Sequence, residues 1–95
     1  VDLITSLEED QKLGNSLKIY PNPNKGSFNL NLSEYGIFRE AKIKVYDLSG
    51  MLVYEENSHS FSEKHIQLPN PKTGLYLVRL EVDGKYTVKK MMLEK

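Results

Sequence analysis

An antiparallel all-β fold, an immunoglobulin-like β-sandwich of about seven strands, is predicted by three observations on this 95-residue sequence. Apolar and polar residues alternate over short runs, as in Phe28, Leu30 and Leu32 against Ser27, Asn29 and Asn31, the period of a strand with one buried face. Turn residues punctuate these runs at short intervals: Pro21-Asn22-Pro23, Ser49-Gly50, Pro69-Asn70-Pro71 and Asp83-Gly84. Seven such strands are counted along the chain, the number of an immunoglobulin-like sandwich, and the absence of cysteine excludes a disulfide scaffold and a thiolate centre. A small barrel is the alternative closure of the same strands.

Taken in order, Val1–Asn15 has Leu3, Ile4 and Leu7 at helix-like spacing, with a capping box in Thr5-x-x-Glu8 or Ser6-x-x-Glu9. It is too short to be a stable helix alone. Residues 1–16 therefore read as a linker from an upstream domain, with at most a turn of helix ended at Gly14-Asn15, and residues 17–95 as the folded domain. Leu17–Tyr20 is a first strand. It stops at Tyr20-Pro21-Asn22-Pro23-Asn24-Lys25-Gly26, where two prolines fix φ and lack amide protons, the asparagines tolerate turn geometry and Gly26 permits positive φ. Ser27–Leu32 is the second strand, Ser33–Glu40 a loop, and Ala41–Asp47 a third strand with Ala41, Ile43 and Val45 inward.

Leu48-Ser49-Gly50 turns the chain into Met51–Glu56, for which Met51/Val53 and Leu52/Tyr54 are both acceptable inward pairs. Asn57–Glu63 reads as a polar loop and Lys64–Leu68 as a short strand. Leu75–Val82, with Tyr76, Val78, Leu80 and Val82 on one face, is joined through the hairpin signal Asp83-Gly84 to the last strand, Lys85–Leu93. The alternation of that last strand slips between Val88 and Met91, which predicts a bulge or a strand covered on both faces near Met91–Leu93.

Composition narrows the function. Thirteen basic and thirteen acidic side chains cancel, which removes the electrostatic argument for nucleic acid or an anionic membrane as partner. The balance is uneven, with an acidic head (Asp2, Glu8, Glu9, Asp10) and a basic tail (Lys85, Lys89, Lys90, Lys95). No apolar run reaches transmembrane length, no signal peptide is visible, and the start at Val1 reads as a fragment or a processed product. His59 and His65 read as surface histidines, the serines have no base and orienting acid, and the glycines are isolated turn residues. A non-enzymatic domain without a cofactor is expected. The tyrosines keep open a second reading, an adhesin-like or carbohydrate-binding sandwich, and a spacer domain is a third.

Three motifs carry a more specific resemblance. Tyr20-Pro21-Asn22-Pro23 with Gly26 resembles the opening motif of the C-terminal sorting domains of the type IX secretion system (Por secretion system C-terminal signal domains, type A). Val45-Tyr46-Asp47-Leu48-Ser49-Gly50-Met51-Leu52-Val53 looks like the family's central motif. Gly74-Leu75-Tyr76-Leu77-Val78 followed by Lys89-Lys90-Met91-Met92-Leu93 and Lys95 is similar to its closing motif. The match spans Leu17–Lys95 in the family's order; Met91-Met92 departs from it, standing where β-branched residues are usual.

The resemblance implies an address label on a larger cargo protein. The cargo would reach the periplasm by an ordinary signal, and an outer-membrane translocon would then recognise the sandwich. A sortase-like protease would cut within Val1–Ser16, leaving the cargo at the cell surface or secreted. Partners implied are thus the translocon, the protease and a cargo domain in cis, with no nucleic acid and no direct membrane insertion. Tyr20, Pro21, Asn22, Pro23, Gly26, Gly74 and Tyr76 carry over as sorting-motif residues, structural or recognised. A buried Tyr76 hydroxyl tying down a nearby loop would account for that residue without a partner. Lys89, Lys90, Met91, Met92, Leu93 and Lys95 carry over as translocon-recognition residues. The last strand would also offer its edge for strand addition.

Overall fold

Alternation along the sequence becomes alternation in burial. The computed structural model describes residues 9–95, in which the elements are α1 (Gln11–Ser16), β1 (Lys18–Tyr20), β2 (Ser27–Asn31), β3 (Glu40–Asp47), β4 (Leu52–His59), β5 (Glu63–Gln67), β6 (Gly74–Val82) and β7 (Lys85–Leu93). They form two antiparallel sheets, ordered β1-β2-β5 and β4-β3-β6-β7, packed face to face as a sandwich. Phe28 and Leu30 of one sheet meet Ile43, Val45, Val78, Leu80 and Met91 of the other in a common core, each with no more than 1% of its surface exposed. Burying a side chain of this size stabilises by roughly 1.5–3 kcal/mol, so these positions dominate the fold.

Several expectations need correction. The Asn57–Glu63 stretch is not all loop: β4 continues to His59 opposite Glu40 of β3. Backbone pairing sustains that end of the strand, so no apolar alternation was needed there. A register shift between Val45 and Tyr46 sets Tyr54 opposite Val45 and Leu52 opposite Tyr46. Val53 and Tyr54 consequently both pack against the core, and neither proposed pair is inward as a pair. The last strand has no bulge. It pairs with β6 without interruption from Lys85 to Leu93, burying Thr87, Met91 and Leu93 while Met92 is exposed. The apparent slip arose because Thr87, a polar residue, points inward and Val88 outward.

The loop after β2 carries a core residue: Phe38 is buried with its ring edge-on to Phe61, centroids 5.4 Å apart. Asp83-Gly84 turns as expected, with φ of 48° and 86°, and the Asp83 carboxylate accepts from the Arg39 and Glu40 amides of the neighbouring loop.

The segment read as linker enters the fold as far as it is described. Asp10 caps α1 by accepting from the Leu13 amide at 2.8 Å, and Leu13 is fully buried against the sandwich. A helix this short is held by that burial, not by propensity. The apolar spacing of Leu3, Ile4 and Leu7 and both capping boxes fall wholly or partly outside the described residues.

Candidate functional site

The topology gathers the three motifs at one end of the sandwich. β3 ends at Asp47 opposite Tyr76, β6 begins at Gly74 opposite Leu93, and Ser27 at the start of β2 faces Gln67 at the end of β5. The corner Tyr20–Gly26, the Asp47–Met51 turn, the Leu68–Thr73 connection and the final residues therefore share this pole.

Within the corner both prolyl peptide bonds, Tyr20-Pro21 and Asn22-Pro23, are cis. Asn24 is only 5% exposed and uses both its backbone and its side chain. Its Nδ2 donates to the Pro21 carbonyl at 3.1 Å and its Oδ1 accepts from the Gly26 amide at 2.8 Å, closing the corner on itself. Its backbone N–H donates to the Met92 carbonyl at 3.1 Å and its carbonyl accepts from the Glu94 amide at 2.8 Å, so the corner is stitched to the end of β7. Asn22 adds a third tie, its Oδ1 accepting from the Met92 amide at 2.9 Å. Gly26 has φ of 113°, and a Cβ there would stand 2.7 Å from the Pro71 Cβ, so the position excludes side chains twice over. Its carbonyl accepts from the Leu68 amide at 2.8 Å.

The central motif ends in a turn organised by Asp47, whose Oδ1 accepts from the Ser49 hydroxyl at 2.6 Å and from the Ser49 and Met51 amides. The Ser49 hydroxyl first, and then the Met51 amide, hold this carboxyl below the usual aspartate value. In the closing motif, the buried Tyr76 hydroxyl donates to the Lys72 carbonyl at 2.8 Å and accepts from the Lys72 amide at 3.3 Å. It ties the loop before β6 to the sheet. The Lys95 amide donates to Thr73 Oγ1 at 3.1 Å, fastening the chain's last residue to the same loop.

The expected recognition residues divide by parity. Met91 and Leu93 are fully buried core residues, and Lys89 is half-buried on the same inward face. Lys90, Met92 and Lys95 offer their side chains to solvent. Around them the pole presents Lys25 and Lys72, also exposed, and none of Lys25, Lys72, Lys90 and Lys95 is in an ion pair among the described residues. Leu48 and Met51, more than 60% exposed, project from the adjoining turn. Pro21, Asn22 and Pro23 are exposed, and Tyr20 is 41% exposed with its phenol pushed upward by a hydrogen bond to the Glu63 carboxylate.

His65 lies opposite Asn29, its Nδ1 3.0 Å from Asn29 Oδ1, while His59 ends β4 in a different sheet, so the two do not converge. What the pole can do is offer cationic tips and apolar side chains on a rigid backbone, a set suited to contact with another protein's surface.

Residues 18–94 match the family described as secretion system C-terminal sorting domain. The chain belongs to this family, the sorting domains of the type IX secretion system. An ulvan lyase, NLR42, of Nonlabens ulvanivorans is 30% identical to this sorting domain over 74 residues, which cover 78% of the chain but 13% of the lyase. Among solved structures, an immunoglobulin-like β-sandwich protein of the DUF3244 family from Bacteroides vulgatus matches with a TM-score of 0.70 at 14% identity, covering 92% of this chain and 90% of that one. Dimeric latent PorU from Porphyromonas gingivalis matches with a TM-score of 0.60 at 22% identity, covering 81% of this chain and 9% of that one. The sorting domain thus corresponds to a small part of the lyase and of PorU, and both structural likenesses concern the sandwich fold. Among the described residues no helix is long and apolar enough to cross a membrane.

Sequence reasoning placed the corner and the closing strand but not the bond network between them. Asn24, its hub, shows in the sequence only the character of a residue tolerant of turns. The available signal was its spacing, an Asx residue two positions before a glycine, where a side-chain oxygen reaches that glycine's amide.

Proposed function

We propose that this sorting domain is the export label of a cargo chain joined to its N-terminal side, and that the motif pole is the face read by the outer-membrane translocon. The observation that carries the reading is the convergence of all three motifs on one end, fastened through Asn24 to the last strand. Fold stability alone does not require unpaired lysines there, and Lys25, Lys72, Lys90 and Lys95 suit a partner surface rich in carboxylates. Lys90, Met92 and Lys95 are the contact residues within the closing motif, whereas Met91 and Leu93 act by holding the strand in the core. Tyr20, Pro21, Asn22, Pro23, Gly26, Gly74 and Tyr76 act as framework. The cargo passes through the periplasm, and a sortase-like protease cuts on the N-terminal side of the sandwich, leaving the cargo at the cell surface or in the medium.

The test is a fusion of the full chain to a periplasmic reporter in a bacterium that has a type IX system. The wild-type fusion reaches the cell surface or the medium. A fusion carrying Lys90→Glu and Lys95→Glu accumulates in the periplasm while its melting temperature is unchanged. A wild-type fusion that stays in the periplasm sinks the sorting role, and normal export of the charge-reversed fusion sinks the role of the lysines.

A further inference from the structure

The outer faces of the two sheets differ in chemistry. On the four-stranded sheet the outward side chains are laced by ion pairs, Lys44 with Glu55 and Arg79 with Glu81, as on an ordinary solvated face. On the three-stranded sheet Ile19, Phe28, Leu30 and Ile66 turn inward, and the alternation leaves Tyr20, Asn29, Asn31, Glu63, His65 and Gln67 outward. Register brings these together: Tyr20 stands beside Asn29, Asn29 beside His65, and Asn31 beside Glu63. The pairs are bonded across the strands, with His65 Nδ1 3.0 Å from Asn29 Oδ1 and Asn31 Nδ2 donating to Glu63 Oε1 at 3.1 Å. The Tyr20 hydroxyl also bonds the Glu63 carboxylate. β1 and β5 flank β2 on opposite sides, so the Tyr20 ring has to cross β2 to reach Glu63. It is thereby laid along the sheet, with 41% of the residue exposed.

Each of these polar groups is fixed by a neighbour and keeps capacity for a ligand. The Asn31 amide has a second N–H, the Glu63 carboxylate has further lone pairs, and His65 has its Nε2. Amide, carboxylate and imidazole groups beside a flat, exposed ring form the chemistry that recognises a sugar. Its hydroxyls pair with the polar groups while its C–H face stacks on the phenol. Charge narrows the class. Glu63 is in no ion pair among the described residues, and Lys18, on the same face, is engaged with Glu34 at 3.5 Å. An anionic sugar would meet the Glu63 carboxylate uncompensated, and a neutral one would not. We propose that the outer face of the β1-β2-β5 sheet binds a neutral saccharide, stacked on Tyr20 and hydrogen-bonded by Asn29, Asn31, Glu63 and His65. Neighbouring strands lie about 4.8 Å apart and like-facing residues about 6.8 Å apart along a strand, so this flat array suits a short oligosaccharide. The site stands apart from the sorting role of the motif pole.

The experiment titrates the full chain, followed by amide NMR, with cellotriose, maltotriose and triacetylchitotriose as neutral probes and trigalacturonate as the charged one. At least one neutral probe gives saturating shifts in the millimolar range, centred on the side-chain amides of Asn29 and Asn31 and on His65, and trigalacturonate gives none. Tyr20→Ala and His65→Ala each weaken binding about tenfold or more, as expected for a lost stacking or hydrogen-bonding partner. Tyr46→Ala, on the outer face of the other sheet, leaves it unchanged. If Tyr20→Ala lowers the melting temperature so far that the corner is lost, His65→Ala, at an exposed position, decides alone. The absence of a saturating shift with every neutral probe overturns the site, as does binding that survives His65→Ala. Equal binding of trigalacturonate overturns the neutral class of ligand.

Discussion

Asn24 and Leu93 form a parallel bridge, with the Asn24 amide donating to the carbonyl before Leu93 and the Asn24 carbonyl accepting from the amide after it. Through this pair the first motif becomes part of the edge of the last strand, and a change at either motif is felt at the other. Truncating Asn24 to alanine leaves those backbone bonds formally available but removes the acceptor for the Gly26 amide and the donor to the Pro21 carbonyl in a site only 5% exposed. Asn24→Ala is expected to destabilise the domain by about 1–3 kcal/mol, read from the denaturant midpoint. Asn24→Asp, which keeps the acceptor and loses the donor, falls between the two. Wild-type stability in Asn24→Ala would show that the corner is held elsewhere.

Gly26 and Pro71 make a second test of the pole. A methyl group at Gly26 meets the Pro71 ring at under 3 Å on a backbone with φ of 113°, so Gly26→Ala combines a clash with left-handed strain. The expected loss is roughly 2–4 kcal/mol, from about 1–2 for the strained conformation and a similar amount for overpacking. Pro71→Gly in the same chain relieves the clash and not the strain, so a double-mutant cycle shows partial recovery. Additive losses would mean that the two residues do not touch in solution.

Much of the sandwich was legible because burial on one face forces a period of two, and Phe28/Leu30 or Val78/Leu80 show that period openly. The parts that were not legible lie where backbone pairing or hydrogen bonding replaces apolar contact. β4 beyond Glu56 is paired through its backbone to β3, leaving a polar sequence with no period to read. Thr87 points inward and has its hydroxyl bonded to Glu9, so an inward position looked like an outward one and the strand seemed to slip. Leu13 is one buried residue in a short acidic segment, too little signal to separate a docked helix from a linker. At the pole, proline and glycine marked the corner, but the Asn24 bonds to Met92 and Glu94 join distant parts of the chain, and local chemistry carries no record of such a partner.

Tyr76 ties the Lys72 loop to the sheet through one hydroxyl. Tyr76→Phe keeps the ring in the core and deletes the bond to the Lys72 carbonyl, leaving that carbonyl and the Lys72 amide without the side-chain partner. A loss of about 0.5–1.5 kcal/mol is expected, with the amide of Lys95, fastened to Thr73 in the same loop, exchanging faster. A melting temperature lowered without faster exchange at Lys95 would confine the role of the hydroxyl to the core.

The pH dependence of stability follows from a chain of side chains that links the two sheets: Tyr54 donates to Glu56, and Lys64 of β5 pairs with Glu56 at 2.8 Å. The hydrogen bond from Lys64 first, then that from Tyr54, hold the Glu56 carboxyl below its usual value. Its contribution is present above the ordinary glutamate range and is lost as pH falls through the lower folded value. Burial first, then the bond to Glu56, push the Tyr54 phenol up to about 12. In the unfolded chain a tyrosine titrates near pH 10, so between about 10 and 12 the native state holds a proton that the unfolded state has released. Stability therefore falls as pH rises through that window. Tyr20, raised by Glu63, acts in the same direction. Melting temperature measured across pH should thus be flat near neutrality and decline on both sides. Tyr54→Phe reduces the alkaline decline without abolishing it, since Tyr20 persists, and Glu56→Gln reduces the acid decline. An alkaline slope unchanged in Tyr54→Phe would rule out the inter-sheet chain as its source.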